Sequence, residues 1–188
     1  MDANSFAARM EAANKAIDDF VRRTGPVAIG NLAVEHFKDN FRKGGFVDRS
    51  LEKWQPAKRQ GVLGGAAGQY GPLLSSKPTL YESITLRPGI ARVTITTPVK
   101  YAPIHNEGGT VSVTPKMRKF AWYKYYSNGG GQSKDTADPA EAAAWKRLAL
   151  TKKKKLQIPQ RKFIGDSEVL TKKIKDKITA EITKILKF

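Results

Sequence analysis

The sequence predicts an α+β fold, an antiparallel sheet of about three to five strands packed with N-terminal helices and a C-terminal amphipathic helix. Three observations lead there. Apolar residues recur every three or four positions near both ends of the chain, they alternate with polar residues in the middle, and glycine and proline punctuate the changes of period. At 188 residues the chain suits one domain with a sizeable core, here expected to carry an insertion over residues 116–157.

Between Ser5 and Arg23, the residues Phe6, Met10, Ala13, Ile17, Phe20 and Val21 fall at helical spacing with charges between them. Gly25-Pro26 is expected to interrupt this first helix, and proline suits the first turn of a second one running towards Asn40. Ile29, Leu32, Ala33, Phe37 and Phe41 would form its buried face, and Gly44-Gly45 would end it, since glycine enters the left-handed conformation without cost.

Periodicity fades from Phe46 to Pro78, and the run from Gly61 to Pro72 is rich enough in glycine to predict a mobile loop. Its glycine spacing does not follow the GxGxxG pattern of a dinucleotide loop. From Leu80 the period becomes two. Ile84 and Leu86, then Val93 and Ile95, alternate with polar residues on either side of Pro88-Gly89, which predicts a hairpin with one buried face. Val111 and Val113 suggest a third strand beyond the loop 98–109.

The segment from Pro115 to Pro159 reads as inserted. It opens with KMRKFAWYKYYS, crosses a flexible SNGGGQSKDT, and contains a short helix signalled by Asp138, Pro139 and Glu141 in a capping box before AAAWKRLAL. Asp166 or Ser167 then starts a last helix, in which Leu170, Ile174, Ile178, Ile182 and Ile185 oppose a row of lysines.

Charge restricts the choice of partners. There are 34 Lys+Arg against 17 Asp+Glu, a formal net charge of +17, which attracts polyanions without implying sequence readout and also keeps copies soluble. With no cysteine there is no disulfide framework and no thiolate metal site, which fits an intracellular assembly pathway. The N-terminal stretch does not read as a signal peptide, and no window reaches the roughly 18 apolar residues of a membrane span.

Chemistry for catalysis is sparse, with two histidines. His36 reads as a helix-face residue. His105 and Glu107 in YAPIHNEGG resemble a base and its orienter, but lack a nucleophile, a third ligand or an oxyanion site, so no catalytic residue, metal site or cofactor is expected. The structural reading has Tyr101 and Ile104 anchoring a loop that Gly108-Gly109 turns back into the sheet, with His105 bonding locally. In KFAWYKYYS, Lys119 and Lys124 interleave with five aromatic residues. That is the composition of a surface for single-stranded nucleic acid, and equally of a half-buried strand or subunit interface, which we favour. The run Lys152, Lys153, Lys154 and Lys155 reads as a solvated turn, or as phosphate contacts if it faces DNA, so these six lysines are the candidate DNA-facing residues.

Three segments in order resemble the phage virion morphogenesis family, the tail-completion or head-tail joining proteins of Mu-like phages and prophages. They are NFRKGGF followed by WQPAKR around Trp54, the stretch LLSSKPTLYESITLRPGIARVTITTPVKYAPIHNEGG, and IPQRKFIGDSEVL around Phe163. The resemblance covers roughly Val34 to Leu186. It departs from the family pattern at Ser76-Lys77-Pro78-Thr79 and in the greater length of the span from Lys116 to Gln157. It implies a virion structural protein acting in an oligomeric ring or adaptor, present in the host cytoplasm during assembly. Its partners would be copies of itself, other neck or tail proteins, and packaged DNA through non-specific phosphate contacts, with no membrane. On this reading Trp54, Tyr101, Ile104, His105, Gly108, Gly109 and Phe163 are the signature residues and candidate subunit interface. The alternative is a sequence-independent nucleic-acid-binding protein.

Overall fold

In the computed structural model, residues 3–57, 60, 70–75, 77–130 and 139–187 are described. The fold is α+β. In chain order the elements are α1 (Ala3–Asp19), a π-helical turn (Phe20–Thr24), α2 (Gly25–Lys43), β1 (Gly45–Val47), β2 (Leu51–Lys53), α3 (Thr79–Glu82), β3 (Thr85–Gly89) and β4 (Arg92–Thr96). There follow α4 (Ala102–Glu107), β5 (Gly109–Ser112), α5 (Pro115–Ser127), α6 (Pro139–Ala149), β6 (Lys155–Ile158) and α7 (Glu168–Leu186). The described strands form three separate pairs, β1 with β2, β3 with β4 and β5 with β6, instead of one sheet of three to five.

The chain builds two compact units, the first from Met1–Glu52, Leu80–Val99 and Phe163–Phe188, the second from Lys53–Thr79 and Lys100–Lys162. In the first unit, Gly25-Pro26 does not break the helix. Pro26 has no N–H to donate to the carbonyl four residues back, that of Arg22. The ladder widens by one residue there, with the Gly25 N–H bonding to the Phe20 carbonyl, which leaves helical dihedrals on both sides. A Cβ on Gly25 would sit 2.6 Å from that Phe20 oxygen. The released Arg22 carbonyl accepts instead from the Ala91 N–H at 3.2 Å.

Ala91 belongs to the two-residue turn between β3 and β4, because Gly89 pairs with Arg92. Pro88-Gly89 therefore lies within the strand, one step before the turn expected there, and Ala91 takes a φ of 52° that a glycine would adopt more easily. The apolar register is as the alternation required, Leu86 opposite Ile95 and Pro88 opposite Val93. This hairpin packs on α2 at Gly30, where a Cβ would meet Val93 Cγ2 at 2.7 Å. Gly44 ends α2 with φ 65° in the left-handed region.

The core of the first unit joins Phe41, Phe46, Ile84 and Phe163, all nearly inaccessible to solvent, and each such side chain contributes about 1.5–3 kcal/mol by leaving water. Phe41 and Phe163 meet with ring centroids 5.1 Å apart. Among them the fully buried Asn40 donates to the Phe163 carbonyl (3.1 Å) and accepts from the Val47 N–H (3.1 Å). Both halves of its amide are thus satisfied. The Val47 carbonyl accepts from His36 Nε2 and from Ser167 Oγ, and Ser167 also caps α7 by accepting from the Leu170 N–H.

In the second unit, the strand suggested by Val111 and Val113 is β5, and it pairs with β6 rather than with the hairpin, Val111 opposite Leu156 and Ser112 opposite Lys155. The residues of the expected insertion, 116–157, lie in this unit. KMRKFAWYKYYS is helix α5, not a strand: Thr114 caps it by accepting from the Met117 N–H at 3.1 Å, and Pro115 takes the first position. The glycine-rich loop expected over Gly61–Pro72, apart from its last residues from Tyr70, and the cap expected from Asp138 lie outside the described residues.

Candidate functional site: a clamp at Arg161 and a basic aromatic helix pair

Two groups of sequence-selected residues gather in the second unit. The first surrounds Arg161. Its side chain is buried, with Nε donating to the Gln55 carbonyl (3.1 Å) and Nη2 to the Pro56 carbonyl (3.2 Å). Its backbone N–H donates to the His105 carbonyl at 2.7 Å. Beside it, Trp54 Nε1 donates to the Lys162 carbonyl (2.9 Å) and Gln160 Nε2 to the Asn106 carbonyl (3.2 Å). Segments 54–56, 101–109 and 159–162, distant in sequence, are therefore tied at one arginine, whose planar fork suits two carbonyls at once.

Glycine is required at the edge of this clamp. Gly108 has φ 76°, and a Cβ there would come within 2.9 Å of the Gln160 backbone nitrogen. Gly109 has φ 142°, and a Cβ there would press on Ile104 Cδ1 at 2.8 Å. The expected loop is the short helix α4, and Gly108-Gly109 lead it into β5.

His105 makes no local hydrogen bond through Nδ1. Its Nδ1 is buried without a hydrogen-bond partner, so Glu107 does not orient the ring through that atom. The edge of the Tyr101 ring lies against it, centroids 5.8 Å apart at 89°. Burial, and then the neighbouring Arg161 charge, lower the His105 pKa below the usual histidine value. Beside the imidazole lie the Tyr101 ring and the Arg161 charge, and Nδ1 has no hydrogen bond to align it as a base. Among the described residues no three His, Cys, Asp or Glu side chains gather as metal ligands, and no helix is long and apolar enough to cross a membrane.

Of the signature residues, Trp54 is buried inside the clamp and Phe163 inside the first unit, whereas Tyr101 is exposed. Ile104, His105, Gly108 and Gly109 are half-buried. Sequence reading singled out the segment containing Arg161 without giving that residue its role as the junction. The signal was available, since arginine, which that segment carries just before Phe163, is the residue type that bridges carbonyls.

The second group is the helix pair α5 and α6. Ala121, Ala142 and Ala149 are buried and let the two helices approach closely. Phe120 of α5 meets Trp145 of α6 edge-on at 5.8 Å. Arg118 Nη1 donates to the carbonyls of Ala149 (3.3 Å) and Thr151, which fixes the chain where the lysine run starts. At the other end the Val113 N–H bonds to the Lys154 carbonyl at 2.8 Å and Lys155 enters β6. Lys152, Lys153, Lys154 and Lys155 are all exposed, held beside the first turn of α5. Lys119 is exposed on α5, and Lys124 Nζ lies 5.9 Å from the centre of the Phe120 ring.

Comparisons with family models, with curated proteins and with solved structures give no match to this chain.

Proposed function

We propose that the chain is a structural virion protein of a tailed phage or prophage, acting in tail completion or head-tail joining as a subunit of an oligomeric ring or adaptor and without catalytic activity. The observation that carries this reading is the Arg161 clamp. Parts of all three segments that resemble the virion morphogenesis family, residues 54–56, 101–109 and 159–162, are tied together by Arg161, Trp54 and the His105 carbonyl, which supports reading the resemblance as one pattern. Exposed apolar side chains on the terminal helices, among them Phe6, Met10 and Leu186, give an assembly subunit surface to bury against copies of itself or other neck and tail proteins.

Deleting the gene from the inducible phage that carries it tests the assignment. The expected result is particles in which heads and tails form but infectivity is lost, restored by the gene in trans; normal infectious particles would overturn it.

A further inference from the structure

The aromatic residues of KFAWYKYYS and the lysine run, far apart in the sequence, both lie in the second unit, the run held beside the first turn of the helix that carries the aromatics. From the spacing alone the aromatics suited a half-buried strand; as helix α5 they leave a different surface. Phe120, Tyr123 and Tyr126, three residues apart, are 50%, 64% and 62% exposed, although large aromatic rings ordinarily lose most of their surface on folding. Trp122 and Tyr126 stack with planes 23° apart, and Phe120 and Tyr123 lie 6.4 Å apart at 36°. Cations lie over this row, Lys124 above Phe120 and Lys146 5.7 Å from the Tyr125 ring centre.

Charge decides which partner fits. Residues 115–130 and 139–158 hold ten Lys or Arg and the single acid Glu141. A second copy of a chain with net charge +17 would be repelled from such a face, whereas a polyanion would be drawn to it. Exposed rings distinguish between polyanions. Duplex DNA keeps its base faces stacked inside, while a single strand offers both phosphates and free base faces.

We infer that the α5–α6 pair with the Lys152–Lys155 run is a binding surface for single-stranded nucleic acid, with Tyr123 and Tyr126 stacking on bases and the lysines contacting phosphates. Because every base has a π-face and lysines meet only the backbone, the surface reads no sequence. This goes beyond the assembly role and does not depend on it, since the test uses the purified full chain alone.

Fluorescence anisotropy with a labelled oligothymidine of about 16 nucleotides, competed by a duplex of equal length, measures this binding. The single strand is expected to bind more tightly than the duplex. Y123L with Y126L keeps apolar bulk and helix propensity while removing the π-faces, and should weaken oligothymidine binding about tenfold or more. Replacing Lys152, Lys153, Lys154 and Lys155 by glutamine keeps the backbone ladder and should reduce the steepness of log affinity against log salt by about 3, at roughly 0.7 per phosphate contact. Circular dichroism matching the parent shows each variant folded. Equal affinity for duplex and single strand, or unchanged oligothymidine binding by the folded double tyrosine variant, would overturn the proposal.

Discussion

Both histidines are held against protonation, and each is in a different unit. Burial is the main reason at His36, reinforced by Lys173 and Lys43 and opposed by the Val47 carbonyl and Asp39. At His105 burial acts first and Arg161 second. A histidine whose folded pKa lies below its unfolded value of 6.5 binds fewer protons folded than unfolded, so its contribution is complete above that value and is lost as pH falls through the folded pKa. Urea unfolding at about pH 7.5 and about pH 5.5 should show lower stability at the acid end, and H36Q with H105Q should reduce that difference. A double variant with the same pH dependence as the parent would argue that other groups set it. Neither histidine's environment was fully legible in the sequence, because the strongest charge at His36 comes from Lys173, 137 positions beyond it, and that at His105 from Arg161, 56 beyond it.

At the scale of elements, local chemistry fixed the ends of segments and distant chemistry their continuity. Ser167 and the isoleucine spacing make α7 readable, as the alternation around Leu86 and Ile95 makes the hairpin readable. The break expected at Gly25-Pro26 fails for a reason outside that stretch: the Arg22 carbonyl finds its donor at Ala91. In KFAWYKYYS the aromatic alternation outweighed the better signal, Thr114-Pro115, a cap followed by proline at the first helical position. The β5–β6 pairing, which joins residues more than 40 positions apart, has no local signature. Ala91 itself offers a test. Its left-handed φ costs a non-glycine residue roughly 1 kcal/mol, while its N–H bond to Arg22 needs no side chain. A91G should therefore raise the urea midpoint by an amount equivalent to up to about 1 kcal/mol, less the added freedom of glycine in the unfolded chain. A lower midpoint would show that the Ala91 methyl group packs more than its backbone strains.

Over the whole molecule, the α+β class and the helices at both ends were legible, because periodicity survives without tertiary context. The division into two units was not, since both are assembled from separate stretches of chain. The first unit needs Phe163 against Phe41 and Ser167 against the Val47 carbonyl. A fragment of residues 1–99 lacks both, and it should show helical circular dichroism but no cooperative urea transition. Adding residues 163–188 as a separate peptide should restore a transition, and a fragment that unfolds cooperatively alone would show that α7 is dispensable.

The return of the chain at Phe163 also orders events in time. Asn40 is held by a carbonyl 123 residues downstream, so during synthesis the first unit waits, its aromatic core open, until Phe163 has been added. In that interval the nascent protein is most exposed to aggregation, and a translational pause between Asn40 and Phe163 would prolong the exposure, whereas one before Asn40 would not.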